Sequence, residues 1–489
     1  MTFVTPVYTR HQPEKTVLYQ VIRDNLDIFL SRTEAPLPSY VIEEFSAFLD
    51  CGILSKGFVR LLCESCKKDL ALPFSCKKRG FCPSCAGKRM AEAEIHLLQE
   101  VLPEENVRQW VISLPIAMRF WVSKNRDLLN KTLTIVQSTI SSFYKKSAKK
   151  SGVKRPETGA VTYIQRAGSS INLNPHFHIA FIDGVYETAD KDSLKFHPAA
   201  PLTDDDVANV TKKIARKVIK MLQKKGYLKD IGSDDDGGVV SDSFQDEWNP
   251  LDEMMAASID RKISIGEGAG EKSRLVKYGR GFGSVGDSPK IESALCSAIH
   301  GFSVHGNVFV KGHQRWKLAR LVRYMARPLI ASDRFTLNEN GDIQYSLKSS
   351  WSDGTSAVLF SPMEIFSKLS SIIPPPRGHL VRYFGVLGPN SKYREKVVPK
   401  KKVAEENKNG SEATLKQKMK IAILLQHTFG FDLEICPRCG GKMKKIAIIT
   451  HHSIAKKILK SMGLYDEDSL RARSRGPPKK ERVIEPFLS

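Results

Sequence analysis

The sequence predicts an α+β fold with a small cysteine-rich unit near its start. Three observations lead there. Six of the nine cysteines lie between Cys51 and Cys85. Runs of strand-like alternation, such as "GAVTYIQRA" and "PHFHIAFID", are bounded by turn-forming residues. Segments of helical period, at 16–31, 127–147, 203–225 and 316–327, stand among them.

In chain order, Leu18, Val21, Ile22 and Phe29 share one face of the first helix, and "RTEAPLPSYV" ends it. The cysteines follow, then a helix in "AEAEIHLLQEVL" and a proline-ended strand in "VRQWVISLP". Strands are expected again at 343–348 and 356–360, with "IIPPPRGH" as a proline-fixed turn. The acidic run "IGSDDDGGVVSDSFQDEW" reads as a surface loop and "PKKKVAEENKNGSEATLKQK" as a charged linker. The chain therefore divides into an N-terminal helical segment (1–50), a cysteine unit (51–100), a mixed domain (101–335), its extension (336–400), and a linker with a small CxxC unit and basic tail (401–489).

A net charge of +23 over 489 residues favours a polyanionic partner, nucleic acid being the usual one, against a merely soluble basic protein. No apolar run reaches the ~18 residues a membrane helix needs, and the N-terminus lacks an apolar signal core. A cytoplasmic protein without a membrane partner is expected.

Cys63-x2-Cys66 and Cys82-x2-Cys85, fifteen residues apart, have the spacing of a four-thiolate Zn²⁺ site. Four thiolates leave no open position, so the role is structural. Cys51 and Cys76 are extra, and one of them could replace a ligand. Nine Lys/Arg against two Asp/Glu over 51–90, with Phe58, Phe74 and Phe81 interleaved, suit DNA phosphates or else a solvated basic face. Cys436-x2-Cys439 is a further knuckle without a partner pair. His427, His451 and His452 could complete it; a half-ribbon turn without metal is the alternative.

His176 and His178 sit two apart in a strand, so they share a face while Phe177 and Ile179 turn to a core. Two imidazoles on one face can share a divalent ion, or can be ordinary strand residues. Gln165 on a neighbouring strand could supply a third ligand or bond to backbone. In "RWKLARLVRYMARPL", Leu318, Leu321, Val322 and Met325 form one apolar stripe. Tyr324 lies off it among Arg320, Arg323 and Arg327, which could grip a phosphodiester. The positive charge would favour the phenolate as a nucleophile. A tyrosine on an ordinary amphipathic helix is the plainer reading.

Together these blocks resemble the HUH-type rolling-circle transposases of insertion-sequence family ninety-one and the related common-region elements. "SCKKRGFCPSC" resembles the family's zinc segment, "YIQRAGSSINLNPHFHIAFIDGVY" its paired-histidine block and "LVRYMARPLIASDRF" its nucleophile helix. The likeness runs from about residue 35 to 400. It implies an HUH endonuclease-like antiparallel sheet with helices on one side and the histidines on a central strand. It also implies Mg²⁺ or Mn²⁺ on His176 and His178, and attack by Tyr324 on single-stranded DNA at transposon ends. A 5′-phosphotyrosine link and strand transfer to target DNA follow. A bacterial, nucleoid-associated protein is implied, with homo-oligomers open. Some members carry two tyrosines four apart; here those positions are Arg320 and Pro328, leaving Tyr383 and Tyr393 as fallbacks. A replication initiator or relaxase of the same chemistry, and a non-catalytic zinc DNA-binding regulator, are the competing readings. The chain has no GxxxxGK[ST] P-loop.

Overall fold

A computed structural model describes residues 11–188, 194–228, 249–277, 294–399 and 435–465. The acidic run, most of the charged linker, His427 and the basic tail lie outside these residues.

The long alternating segments pair into an antiparallel sheet of seven strands. Its order is Cys296–Ile299, Phe302–His305, Val107–Ser113, Leu173–Ile182, Gly159–Ala167, Val381–Gly385, with Phe309–Val310 also beside Val107–Ser113. The ten-residue strand Leu173–Ile182 is thus central, as the sequence resemblance implied.

Its period of two separates the faces. Phe177, Ile179 and Phe181 pack into a core with Trp110, Ile112 and Ile164 beneath helices Arg126–Lys150 and Asp204–Lys224. Burying a side chain of that size is worth roughly 1.5–3 kcal/mol. Asp204–Lys224 starts where it does because Thr203 and Asp206 close a capping box, with three aspartates in the first turn. The opposite face carries His176 and His178. It is covered beside them by the tyrosine helix Arg315–Met325 and by Pro83–Glu100, through Leu318, Leu321, Val322, Leu97 and Val101 against Val107, Val161 and Ile182. The two long helices keep to one side; these shorter contacts add a second cover.

The Asp183–Gly184 pair after the histidine strand, a sequence that favours a turn, does not put Asp183 at the surface. Asp183 is buried and paired with Arg108 at 2.9 Å, and it accepts a hydrogen bond from Tyr144 at 2.6 Å. The chain bends there and continues as Gly184–Thr188. Breaking a pair so buried would strand a charge, which costs about 3–5 kcal/mol.

A second core joins the chain's start to the extension. Helices Val17–Ser31 and Ser39–Asp50 pack against Pro362–Ile372 and the strands Phe335–Leu337, Ile343–Ser346 and Thr355–Phe360. Phe29 stacks on Phe366 with ring centroids 4.7 Å apart. Beside it, Phe58–Cys63 and Asp69–Pro73 form a hairpin, and Met443–Ile449 adds a third strand from the far end of the chain. Among the described residues, no helix is long and apolar enough to cross a membrane.

Candidate histidine–tyrosine site and cysteine centres

Register fixes the histidines. His176 lies between Ser113 and Gln165, and His178 between Val111 and Tyr163. Their ring centroids are 5.0 Å apart. The Nδ1 of His176 is 2.7 Å from the Asn174 carbonyl oxygen, which can only accept, so Nδ1 carries the hydrogen and Nε2 keeps a lone pair. His178 is buried; its Nδ1 faces the Gln109 side-chain amide nitrogen at 3.0 Å, and its Nε2 has no hydrogen-bond partner among the described residues. The two ends of that amide are isosteric. With its oxygen toward the ring, Nδ1 donates and the buried Nε2 is a bare lone pair; with its nitrogen there, Nε2 would be a buried donor without an acceptor.

Burial lowers both imidazole pKa values. The nearby His176 and Arg327 help push His178 down to about 3, and Arg327 and Arg119 act the same way on His176. The pair is therefore neutral near pH 7, the form in which imidazole binds metals.

The tyrosine helix is pinned at both ends. Arg315 donates to the Pro103 and Leu102 carbonyls at 2.9 and 3.1 Å. The Gln165 amide nitrogen donates to the Met325 carbonyl at 2.8 Å. Leu318, Leu321, Val322 and Met325 are buried as the stripe predicts, and Tyr324 is 40% exposed. Its ring stands edge-on to His178, centroids 5.4 Å apart at 89°. The Arg327 guanidinium lies 4.9 Å and the Lys348 ammonium 5.6 Å from the Tyr324 ring centre.

The structure therefore brings His176, His178, Gln165, Tyr324 and Arg327 together. Arg320 is exposed one turn earlier. Arg323 turns aside to an ion pair with Glu94 on Pro83–Glu100. The fallback Tyr383 lies on the edge strand Val381–Gly385, its ring against His96 and Arg394. Sequence reasoning missed Gln109, Lys348 and Glu94. Gln109 had one usable signal: a glutamine at an inward position of "VRQWVIS".

The cysteines group differently from the expected Cys63, Cys66, Cys82 and Cys85 quartet. One group is Cys51, Cys76, Cys82 and Cys85; the other is Cys63, Cys66, Cys436 and Cys439; within each, the sulfurs lie within 4.8 Å of one another. The reason is the hairpin. Cys63 and Cys66 sit at its tip, whereas Cys51 and Cys76 flank its base, where Gly52 N–H bonds to the Phe74 carbonyl at 2.9 Å. A strand of five or six residues puts roughly 17–20 Å between tip and base. Cys82 and Cys85, at the start of Pro83–Glu100, reach the base. His452 bonds instead to the Ser55 carbonyl, and neither it nor His451 joins the tip group.

In the base group, Sγ–Sγ separations are 3.7 Å for Cys51–Cys85, 3.3 Å for Cys76–Cys85 and 3.6 Å for Cys51–Cys82. Zn–S bonds of about 2.3 Å place tetrahedral sulfurs about 3.8 Å apart. The donor set fits structural zinc.

Two family models match the chain. The one described as "Putative transposase" covers residues 159–395, and the one described as "Transposase zinc-binding domain" covers 21–114. The first spans the histidine strand, the tyrosine helix and Val381–Gly385; the second spans the base cysteines. No curated protein and no solved structure matches.

Proposed function

Because the chain belongs to the transposases of insertion-sequence family ninety-one, we propose that it cuts single-stranded DNA at its element's ends through Tyr324 and rejoins the strand to a target. The observation that carries this is the Tyr324 ring standing edge-on to His178, beside a second histidine and a cationic flank.

Arg327 and Lys348 would neutralise the phosphodiester and favour the phenolate of Tyr324. The phenolate oxygen attacks phosphorus, the P–O3′ bond breaks, and a 5′-phosphotyrosine and a free 3′-OH result. In strand transfer a 3′-OH reverses the step, so the phosphodiester energy is kept and no ATP is consumed. The Nε2 atoms of His176 and His178 would hold Mg²⁺ or Mn²⁺, two imidazoles suiting Mn²⁺ well, with the Gln165 oxygen as third ligand. Bound there, the cation would polarise the scissile phosphate and offset charge on the leaving oxygen. Gln109 would orient His178 by accepting from Nδ1.

The test uses end-labelled single-stranded DNA from the element's terminus with Mn²⁺. A covalent protein–DNA band is expected, lost with EDTA and reduced by roughly 10⁴-fold or more in Tyr324→Phe, as for other removed nucleophiles. A band that persists in Tyr324→Phe sinks the assignment.

A further inference from the structure

Cys63 and Cys66 lie within the zinc-binding match, which ends at residue 114, whereas Cys436 and Cys439 lie beyond both family matches. We propose that Cys63, Cys66, Cys436 and Cys439 hold a second structural zinc, a clasp that fastens the C-terminal strand and helix to the N-terminal hairpin. The proposal is independent of the nicking chemistry.

Sulfur geometry is the first argument. Cys63 and Cys439 lie 3.5 Å apart, and Cys66 and Cys436 3.7 Å. Both distances match a zinc tetrahedron and are far beyond the ~2.05 Å of a disulfide.

The second argument is that the two knuckles are built alike, although 370 residues separate Cys66 from Cys436. In each, the N–H after the second cysteine returns to the carbonyl of the first, Lys67 to Cys63 at 3.0 Å and Gly440 to Cys436 at 2.9 Å. That residue has positive φ in both, 55° for Lys67 and 72° for Gly440. The first cysteine's N–H then bonds five residues on, Cys63 to the Lys68 carbonyl at 2.9 Å and Cys436 to the Gly441 carbonyl at 2.7 Å. Such a turn aims two sulfurs at one point, and here the two points coincide. Glu64 N–H also bonds to the Lys442 carbonyl at 2.9 Å, and a Cβ at Gly441 would collide with Ser65 and the Cys63 sulfur. The knuckles are fitted to each other. The backbone N–H of Cys66 also points at the Cys63 sulfur, 3.4 Å away.

The third argument is need. Met443–Ile449 pairs with Phe58–Cys63 from Phe58↔Ile449 to Cys63↔Met443, and helix His452–Ser461 follows it. The apolar cluster beneath contains Leu54, Phe58, Ala71, Ile449, Ala455 and Leu459. A core that small holds weakly without a staple. Ile446 and Ile448 meanwhile point to solvent.

The test counts zinc on the full chain by native mass spectrometry. Two zincs are expected in the wild type and one in Cys436→Ser/Cys439→Ser, with protease cutting the 435–489 region at least tenfold faster. Cys439→His, which keeps a ligand, should retain two and shift the cobalt-substituted spectrum of one site alone. Because Cys439 is exposed and the base group is largely buried, a chelator should remove the clasp zinc first. One zinc in the wild type, two zincs retained by the double variant, an unshifted cobalt spectrum in Cys439→His, or a disulfide across the knuckles would each overturn the clasp.

Discussion

The histidine pair and the cysteine knuckles both gather donor atoms around a point, by opposite routes. The histidines come from one strand, and their meeting is settled by a period of two and by the strands on either side. The cysteines come from knuckles whose partners are chosen by the fold, not by distance along the chain. Fifteen residues separate Cys66 from Cys82, yet Cys63 and Cys66 meet Cys436 and Cys439. Geometry inside one element follows from spacing; pairing between elements needs the hairpin's length and direction.

That contrast can be sharpened by removing a histidine. His178→Ala should abolish metal-dependent adduct formation by roughly 10³-fold, several kcal/mol of charge stabilisation at the phosphate. It should leave the zinc count of the full chain unchanged. Mn²⁺-dependent nicking at near wild-type rate would show that the pair is not the metal floor. A parallel loss of zinc would show that the two regions are not independent centres.

The same contrast explains what could be read in advance. The amphipathic helices and the exposed Tyr324 followed from local period, and the central place of the histidine strand from the resemblance. The buried helix Pro362–Ile372 did not. Ten of its eleven residues are buried, including Glu364 and Lys368, so no polar face marks it. Lys368 is satisfied by the Lys262 carbonyl at 2.8 Å, a partner 106 residues away. Gln109, Lys348 and Glu94 were hidden for the same reason, since each acts on a side chain of another element.

Gln109 offers the next smaller effect. Replacing it with Leu removes the group that fixes the His178 hydrogen on Nδ1, and should weaken Mn²⁺ affinity about 10–100-fold, the usual range for such orienting partners. Gln109→Glu keeps an acceptor and should restore binding. If Leu and Glu weaken it equally, packing rather than tautomer control is the role.

The smallest effect lies where the two regions touch. Pro83–Glu100 begins at the base cysteines, and its Glu94 pairs with Arg323 on the tyrosine helix. The Arg323 side chain is 52% exposed, so the pair is worth at most about 1 kcal/mol. Among the described residues Arg327 makes no such ion pair, and its guanidinium faces the Tyr324 ring. Removing a phosphate contact from single-stranded DNA lowers the salt dependence of log K by about 0.7. Arg327→Ala should show that drop in a salt titration of binding, while Arg323→Ala, whose charge is already offset by Glu94, should change affinity less than about fivefold. Glu94→Gln should then free Arg323 and tighten binding slightly. The reverse order, with Arg323 dominant, would mean that DNA displaces Glu94 and that the zinc helix is part of the DNA-binding path.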